Sequence, residues 1–345
     1  MSEDIKKITQ QIFDTAKENR FTGYDPFDGL NSIFIKKFSI IENTLFGLVW
    51  LQFFKRSPFK VLRKLAFIPK TRNPKGVALY ILGTVESLRV NFDQQNLNTI
   101  IELADWLIEN RSPKNKWSDY AWGYNFPWKA RAFFVPKGKP NIITTVYVGI
   151  SLFELTKFLK EASIESKKTQ IYEKVFININ SHILKHHLKS RRDSDGKIIS
   201  YFTYIPGEEA FVHNASLWGA AYIAMTYKYE KSPSLRNKYK EIVRKVAYYS
   251  TSKQLEDGSW LYGTNKHHHF IDSFHTGYNL EALKIIQSNI DGLFLDNFIE
   301  KGYKYYRENF IADGGIVKYF NNNKFPLDMH SVSQAIITIL LIDRS

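Results

Sequence analysis

Three histidines follow three Asp-Gly pairs at a nearly constant distance in the second half of the chain. The aspartates of these pairs are Asp195, Asp257 and Asp313. The histidines come 18, 18 and 17 positions later, at His213, His275 and His330. Each is followed by a small polar residue, in order Asn214, Thr276 and Ser331. Residues at a fixed phase of a repeat occupy equivalent places, so we expect the three imidazoles to face one mouth if the repeats close into a ring.

Carboxylates accompany these histidines. They are Glu208 and Glu209 before His213, Asp272 before His275, and Asp328 before His330. A carboxylate beside an imidazole orients it and raises its basicity, which suits proton transfer. An aspartate at a helix start is equally an ordinary N-cap, and a histidine one turn later can simply bond a neighbouring helix. The predicted catalytic residues are Asp272, His275, Tyr278, Asp328, His330 and His213. A three-histidine metal centre needs one nitrogen from each imidazole within about 2 Å of the same point. Histidines on separate inner helices are expected to lie too far apart for this, so no metal is predicted. No cofactor is predicted either.

The densest aromatic and polar stretch runs from residue 122 to residue 131. Trp122, Tyr124 and Trp128 offer flat apolar faces, and Arg131 offers a fork for a carboxylate or phosphate. Such a combination suits a sugar, although a rim of packed aromatics would have the same composition. A loop with Tyr24, Asp25 and Asp28 is either a second source of a carboxylate or a plain turn. The predicted substrate-binding residues are Trp122, Tyr124, Asn125, Trp128, Arg131, Trp260, Tyr262, Glu209, Asn214 and Asp25.

The sequence has the periodicity of helices, so helices must position these residues. The stretches 141–159, 208–229, 270–287 and 328–342 mix small residues with Leu and Ile, which suits crowded inner helices. The stretches 169–188, 235–254 and 297–310 carry one apolar stripe, which suits an outer layer. The earlier helices are predicted at 3–19, 33–54, 75–90 and 97–110, and for the helix over 33–54 a bend is an alternative to a straight helix. The predicted fold is all-α: an (α/α) toroid or barrel of about six helical hairpins, with short β-hairpins at the mouth formed by the Asp-Gly segments. We predict one domain over 1–345, less regular over 1–110 and clearly repeated over 111–345.

The amino-acid composition restricts the kinds of molecule that the protein is expected to bind. The 345 residues include 48 basic and 34 acidic side chains, a net charge of +14, and no cysteine. Disulfides and thiolate metal sites are therefore excluded. The charge favours an acidic glycan, a phosphate-linked lipid or a membrane surface, although scattered solvent-facing lysines would give the same total. No nucleic-acid motif accompanies it, so no nucleic acid is predicted. The polar N-terminus and the interrupted apolar stretch 40–54 lead us to expect a cytoplasmic protein, with peripheral contact at the inner face of the membrane as an alternative.

The segment from Gln254 to Trp260 resembles the Q-x-x-D-G-x-W motif of α/α-toroid proteins of the terpenoid cyclase and prenyltransferase superfamily. The overall layout is also similar to six-hairpin glycosidases and related polysaccharide lyases and epimerases. The chemistry of the cyclases does not follow, because the chain lacks D-x-D-D and D-D-x-x-D clusters and has no cysteine for a prenyltransferase zinc site. The segments 122–131 and 270–278 resemble uncharacterised toroid proteins associated with bacterial surface-polysaccharide synthesis.

The resulting functional hypothesis is a carbohydrate-active enzyme that acts on an anionic saccharide in surface-polysaccharide synthesis. A hydrolase would use Asp272 and Asp328 as paired carboxylates, roughly 5 to 9.5 Å apart. A lyase or uronate epimerase would use His275 or Tyr278 to take a proton, with Arg131 neutralising the sugar carboxylate. The alternatives are a non-catalytic glycan-binding or scaffold protein of a polysaccharide assembly complex, and a toroid that handles a polyprenyl-linked sugar. The oligomeric state stays open.

Overall fold

The computed structural model describes residues 3–56, 60–129, 134–164, 167–192 and 195–343. The predicted substrate-binding residue Arg131 lies outside them. The chain divides into two compact units, Met1–Val175 and Phe176–Ser345, with the boundary inside the eighth helix. The single domain over 1–345 stays a prediction.

The first unit is built from helices and one short strand pair. Its helices are α1 (Glu3–Glu18), α2 (Ile33–Lys37), α3 (Leu45–Arg56), α4 (Lys60–Leu65), α5 (Pro74–Val90), α6 (Gln94–Glu109), α7 (Ile142–Glu161) and the first part of α8 (Lys167–His186). The strands β1 (Trp128–Lys129) and β2 (Phe134–Val135) pair antiparallel. Helix α5 packs against both α6 and α7.

Helix α7 forms the centre of this unit. It begins at the N-cap Asn141, whose side chain accepts a 2.8 Å hydrogen bond from the Thr144 N–H. Among the helices of the described residues, α7 is the one long and apolar enough to cross a membrane, and 83% of that stretch is buried inside the protein. A helix that is apolar on all sides is also what the core of a folded unit contains.

The predicted helix over 33–54 is wrong in its continuity. Helix α2 ends at Lys37, a 3-10 turn covers Ser39–Asn43, and α3 starts afresh at Leu45. The Thr44 hydroxyl accepts a hydrogen bond from the Gly47 N–H, which makes Thr44 a helix cap within an apolar stretch. The sequence pattern also missed α4.

The second unit alternates inner and outer helices. After α8 come β3 (Leu188–Arg192), β4 (Ile198–Phe202), α9 (His213–Thr226), α10 (Pro233–Thr251), α11 (Ser273–Asn289), α12 (Asp296–Phe310), β5 (Ile311–Ala312), β6 (Ile316–Val317) and α13 (Met329–Asp343). Helix α11 packs against α9 on one side and α13 on the other, while α10 and α12 cover them. The outer helices α10 and α12 bury one stripe each, and α9 is buried on almost every side. The predicted inner and outer characters are confirmed for these helices.

Two of the three Asp-Gly segments form the predicted hairpins. The first joins β3 to β4, and the third joins β5 to β6. Gly196 and Gly314 supply the positive φ angles, +76° and +74°, that these turns require. At the second segment, the described residues form a turn without strands. There the Asp257 carboxylate accepts hydrogen bonds from both the N–H and the hydroxyl of Ser259, at 2.9 and 2.7 Å.

The Q-x-x-D-G-x-W segment connects two outer helices. The Gln254 amide donates hydrogen bonds to the Gly258 and Phe298 carbonyl oxygens, both at 2.9 Å, and so ties the end of α10 to α12. The buried Trp260 ring lies against Gly302, where an added Cβ would come within 2.5 Å of the indole. These residues therefore have a structural task in this chain.

Candidate functional site

A buried aspartate holds one of the three repeated histidines at the start of α11. Asp272 is the N-cap, and its Oδ1 accepts a 2.9 Å hydrogen bond from the His275 N–H. Its Oδ2 lies 2.7 Å from His275 Nδ1. The Asp272 side chain is fully buried, whereas that of His275 is 21% exposed. Because the carboxylate keeps the proton on Nδ1, the lone pair lies on His275 Nε2, the atom suited to accept a proton. Asp272 therefore caps α11 and orients the His275 imidazole at the same time.

A second imidazole lies across one aromatic ring from the first. His330 Nε2 is 2.5 Å from the hydroxyl oxygen of Tyr278, which follows His275 by one helical turn. The Asp328 carboxylate accepts a 2.7 Å hydrogen bond from the His330 N–H at the start of α13. The Phe274 ring centre is 4.0 Å from that of His275 and 4.6 Å from that of His330. Sequence reasoning missed Phe274, whose only signal is its place next to His275. We call Asp272, Phe274, His275, Tyr278 and His330 the His-Tyr site.

Two further tyrosines border the His-Tyr site. The Tyr262 ring lies 4.5 Å from that of His275, and the Tyr319 ring lies 5.5 Å from that of Phe274. Burial raises the pKa of Tyr319 to about 12, and the negative charges of Asp272 and Asp328 act in the same direction. Tyr319 therefore keeps its proton at neutral pH and serves as a hydrogen-bond donor.

The predicted pairing of Asp272 and Asp328 as hydrolytic carboxylates is wrong for Asp272. Both of its oxygens bond His275, and its side chain has no exposed surface. A glycosidase carboxylate has to reach the scissile bond. Asp272 thus acts through His275 rather than on a substrate directly.

His213 does not join the other two histidines. It is 2% exposed, and its Nδ1 lies 2.7 Å from the Ser250 hydroxyl. Burial, with the nearby Lys253 charge acting in the same direction, lowers the pKa of His213 to about 3. The prediction that all three imidazoles face one mouth is therefore wrong at this position. The sequence held one signal: Val212 stands directly before His213, at the N-cap position that Asp272 fills in α11.

The buried His213 predicts acid sensitivity. The unfolded state binds a proton near pH 6.5, whereas the folded state resists protonation until about pH 3. The contribution of neutral His213 to the unfolding free energy is complete above about pH 6.5. It is lost as pH falls toward the folded-state pKa, by up to about 1.4 kcal/mol per pH unit. Urea unfolding at about pH 7 and about pH 5 measures this slope. We expect His213→Gln, which keeps a polar partner for Ser250, to reduce the pH dependence of the unfolding free energy by the equivalent of nearly one bound proton. An unchanged pH dependence would show that His213 is not the group responsible.

Two predicted substrate-binding tryptophans are core residues. Trp122 and Trp260 are 1% and 2% exposed. Their indole N–H groups donate to the carbonyl oxygens of Leu107 and Ser250, at 2.7 and 3.2 Å. A sugar needs an exposed aromatic face, so the structure contradicts both predictions.

Other predicted binding residues lie at different depths in the second unit. Asn214 is 4% exposed, and its Oδ1 is buried without a hydrogen-bond partner. Glu209 is exposed and pairs with Lys189 at 2.5 Å. Neither residue has a contact with the His-Tyr site among the described interactions, and their roles stay predictions.

The first unit contains its own cavity of about 260 Å³, which is lined by two of the predicted binding residues. Asp25 and Asn125 line it together with Tyr24, Thr71 and Tyr80. Burial raises the pKa of Asp25, and the Asp28 charge acts in the same direction. The Asn125 amide donates to Thr71 Oγ1 at 2.6 Å, while its own Oδ1 is buried without a partner. This combination of a desolvated carboxyl and an unsatisfied acceptor suits a hydroxyl-bearing ligand.

The remaining aromatics of the 122–131 stretch pack beside this unit's core. Tyr124 stacks on Phe126 with ring centres 5.3 Å apart. Trp128 meets Phe27 edge to face at 6.3 Å. Both rings are partly exposed, so a role in contacting a ligand stays a prediction for each.

Comparison with known proteins gives a fold. No protein family and no curated protein matches the chain in sequence. Among solved structures, the cellobiose 2-epimerase from Spirochaeta thermophila matches with a TM-score of 0.56 and 11% identity over 93% of this chain and 88% of that one. The fold is an α/α toroid. A possible member of the GH105 family from Klebsiella pneumoniae matches with a TM-score of 0.54 and 12% identity over 93% of this chain and 80% of that one.

A third solved structure of this fold is described as a polysaccharide lyase. It matches with a TM-score of 0.52 and 14% identity over 79% of this chain and 73% of that one. The predicted all-α toroid is thus confirmed as a fold. The resemblance to six-hairpin glycosidases in particular stays a prediction. The resemblance to terpenoid cyclases stays a prediction.

Proposed function

We propose that this protein is a carbohydrate-active enzyme that removes a proton from the carbon next to the carboxylate of a uronate residue. One observation carries the proposal: an imidazole oriented by a buried carboxylate, His275, stands across Phe274 from a second imidazole that bonds a phenol. The fold is shared with a protein described as a polysaccharide lyase and with one described as a cellobiose 2-epimerase, which supports a saccharide as the substrate.

The proposed chemistry begins at His275. Its Nε2 takes the proton from the carbon next to the carboxylate, and the electron pair moves toward the carboxylate oxygens. In an elimination, that pair then forms a C=C bond while the glycosidic C–O bond breaks and its oxygen takes a proton. In an epimerisation, the carbon takes a proton back on its other face. The Tyr278–His330 pair supplies the returning proton in both cases.

The charge of the chain supports an anionic saccharide as the substrate, with a net +14. A role for Arg131 in binding an anionic group stays a prediction from the sequence. The cavity with Asp25 and Asn125 is proposed to bind sugar hydroxyls within the first unit. Participation in surface-polysaccharide synthesis is proposed from the sequence resemblance of segments 122–131 and 270–278.

Solvent deuterium is the test of this function. The protein is incubated in D₂O with oligogalacturonate, oligomannuronate and glucuronate-containing oligomers, and proton NMR follows the hydrogen next to each carboxylate. Deuterium at that carbon without ultraviolet absorbance supports proton abstraction followed by epimerisation. Loss of that hydrogen together with the ultraviolet absorbance of an unsaturated uronate supports proton abstraction followed by elimination.

The same experiment also reveals outcomes that contradict proton abstraction. New reducing ends with the hydrogen next to the carboxylate retained, and with no ultraviolet absorbance, would indicate hydrolysis and overturn the proposed role of His275. Saturable binding of the oligomers without any reaction would instead favour the non-catalytic glycan-binding alternative.

A further inference from the structure

The helices α2, α3 and α4 expose an unusual amount of apolar surface. Eight of their apolar side chains, and also Phe67 two residues after α4, are more than half exposed; the eight are Ile33, Phe34, Leu45, Phe46, Val49, Phe53, Val61 and Leu65. In α3 the exposed positions 45, 49 and 53 recur every four residues, which places them along one side of the helix. Exposed apolar surface of this extent marks an interaction site.

The exposed residues belong to one connected part of the first unit. On their other sides, α2 and α3 pack Ile35 and Leu51 into a cluster with Leu30. The end of α4 is fastened to the start of α2, because the Ser32 hydroxyl donates to the Ala66 carbonyl at 2.6 Å. The Ile33 N–H donates to the Phe67 carbonyl at 3.0 Å. The exposed apolar side chains are therefore carried by helices that are fastened to one another.

A second property of this segment is its charge. Residues 33–67 contain seven basic side chains and one acidic side chain, Glu42. Arg63 is turned inward to Asp28, and the remaining basic residues are exposed: Lys36, Lys37, Lys55, Arg56, Lys60 and Lys64. Lys55 Nζ lies 4.7 Å above the Phe27 ring, so its stem covers apolar surface while its charge reaches water. We call the exposed apolar and basic residues of 33–67 the apolar-basic face.

Charge decides between the candidate occupants of this face. A second copy of the chain would bring two sets of cations together over an apolar contact. A membrane with acidic headgroups accepts both features, because the apolar side chains enter the boundary of the acyl chains and the lysines pair with the headgroups. Helices with Phe and Leu on one side and lysines beside them are typical of segments that lie in such a surface.

We infer that the apolar-basic face docks the protein on an anionic lipid surface, with α2, α3 and α4 lying in the headgroup region. The inference rests on the first unit alone and does not depend on the proposed uronate chemistry. It also assigns a role to part of the positive charge of the chain, because basic side chains are concentrated on the face where apolar side chains are exposed.

The test is flotation of the intact protein with vesicles of phosphatidylcholine containing about one third phosphatidylglycerol. We expect binding to these vesicles, at least about tenfold weaker binding to pure phosphatidylcholine, and a clear loss at high salt. The charge variant carries Lys37→Glu, Lys60→Glu and Lys64→Glu. Its matched control carries Lys238→Glu, Lys245→Glu and Lys304→Glu, which are exposed lysines of the second unit.

The apolar contribution needs its own variant. Leu45→Ser, Val49→Ser and Leu65→Ser remove side chains that are 75%, 60% and 68% exposed, so the fold should tolerate them. Phe294→Ser, Ile198→Ser and Ile336→Ser form the control in the second unit. Both face variants should lose at least about tenfold in vesicle affinity while both controls bind normally. Failure of the intact protein to float would overturn the inference, as would face variants that bind like their controls, or a dimer in solution that only the apolar face variant abolishes.

Discussion

Replacing His275 with glutamine should lower turnover of the uronate substrate by about 10²- to 10⁴-fold, the usual contribution of a positioned general base. Glutamine keeps a side chain of similar reach beside Asp272 but has no lone-pair nitrogen to accept a proton. The affinity for the oligosaccharide should change little, because the imidazole is used after binding. Steady-state kinetics and a separate titration of the inactive variant measure the two quantities.

The neighbouring residues make this prediction specific. Asp272→Asn keeps an N-cap for α11 but no longer fixes the proton on His275 Nδ1, so turnover should also fall and its pH profile should change. His267→Gln changes an exposed histidine in the loop before α11 and should leave turnover unchanged. Equal losses in His275→Gln and His267→Gln, or full turnover in His275→Gln, would remove His275 from the mechanism.

The repeat pattern predicted the fold well because it reflects packing. Small residues mixed with Leu and Ile mark helices that are crowded on all sides, as in α9, and single apolar stripes mark the outer helices, as in α12. The glycines of the first and third Asp-Gly pairs signalled turns because only glycine adopts positive φ angles readily. The break after α2 could not be foreseen in the same way, since a short capping residue such as Thr44 leaves the apolar composition unchanged.

The same pattern could only partly predict the site. His275 and His330 are brought together around Phe274 and Tyr278, whereas the equivalent His213 is buried and bonds Ser250. Equal spacing in sequence did not give an equal place on the helix, because His213 is the first residue of α9 whereas His275 is the third residue of α11. The exposure of each place also depends on the side chains that neighbouring segments put over it. Phe211, 4.7 Å from the His213 ring, is one such cover. Tryptophans such as Trp122 are ambiguous for the same reason, because a sugar-binding ring and a core ring have the same composition.

The largest expected loss of stability follows from Arg63, the basic residue of the 33–67 segment that is turned inward. Its Nε lies 3.2 Å from Asp28 Oδ1, and its Nη2 donates to the carbonyl oxygens of Asp25 and Phe54, at 3.2 and 3.0 Å. Arg63→Ala leaves a buried carboxylate and two carbonyl groups without this donor. Removing one partner of a buried ion pair costs about 3–5 kcal/mol. Urea unfolding of the full chain measures the loss, and Lys64→Ala, its exposed neighbour, should change the unfolding free energy by less than about 0.5 kcal/mol.

The pH dependence of that loss identifies its cause. Burial raises the pKa of Asp28, and the Arg63 charge works against this rise. Without Arg63 the folded-state pKa of Asp28 should move further above its unfolded value, so the folded variant takes up a proton that the unfolded chain does not. The deficit of Arg63→Ala relative to the native chain should therefore shrink as pH falls through that raised pKa. A deficit that is constant with pH would instead attribute the loss to packing of the arginine stem and to the two carbonyl groups.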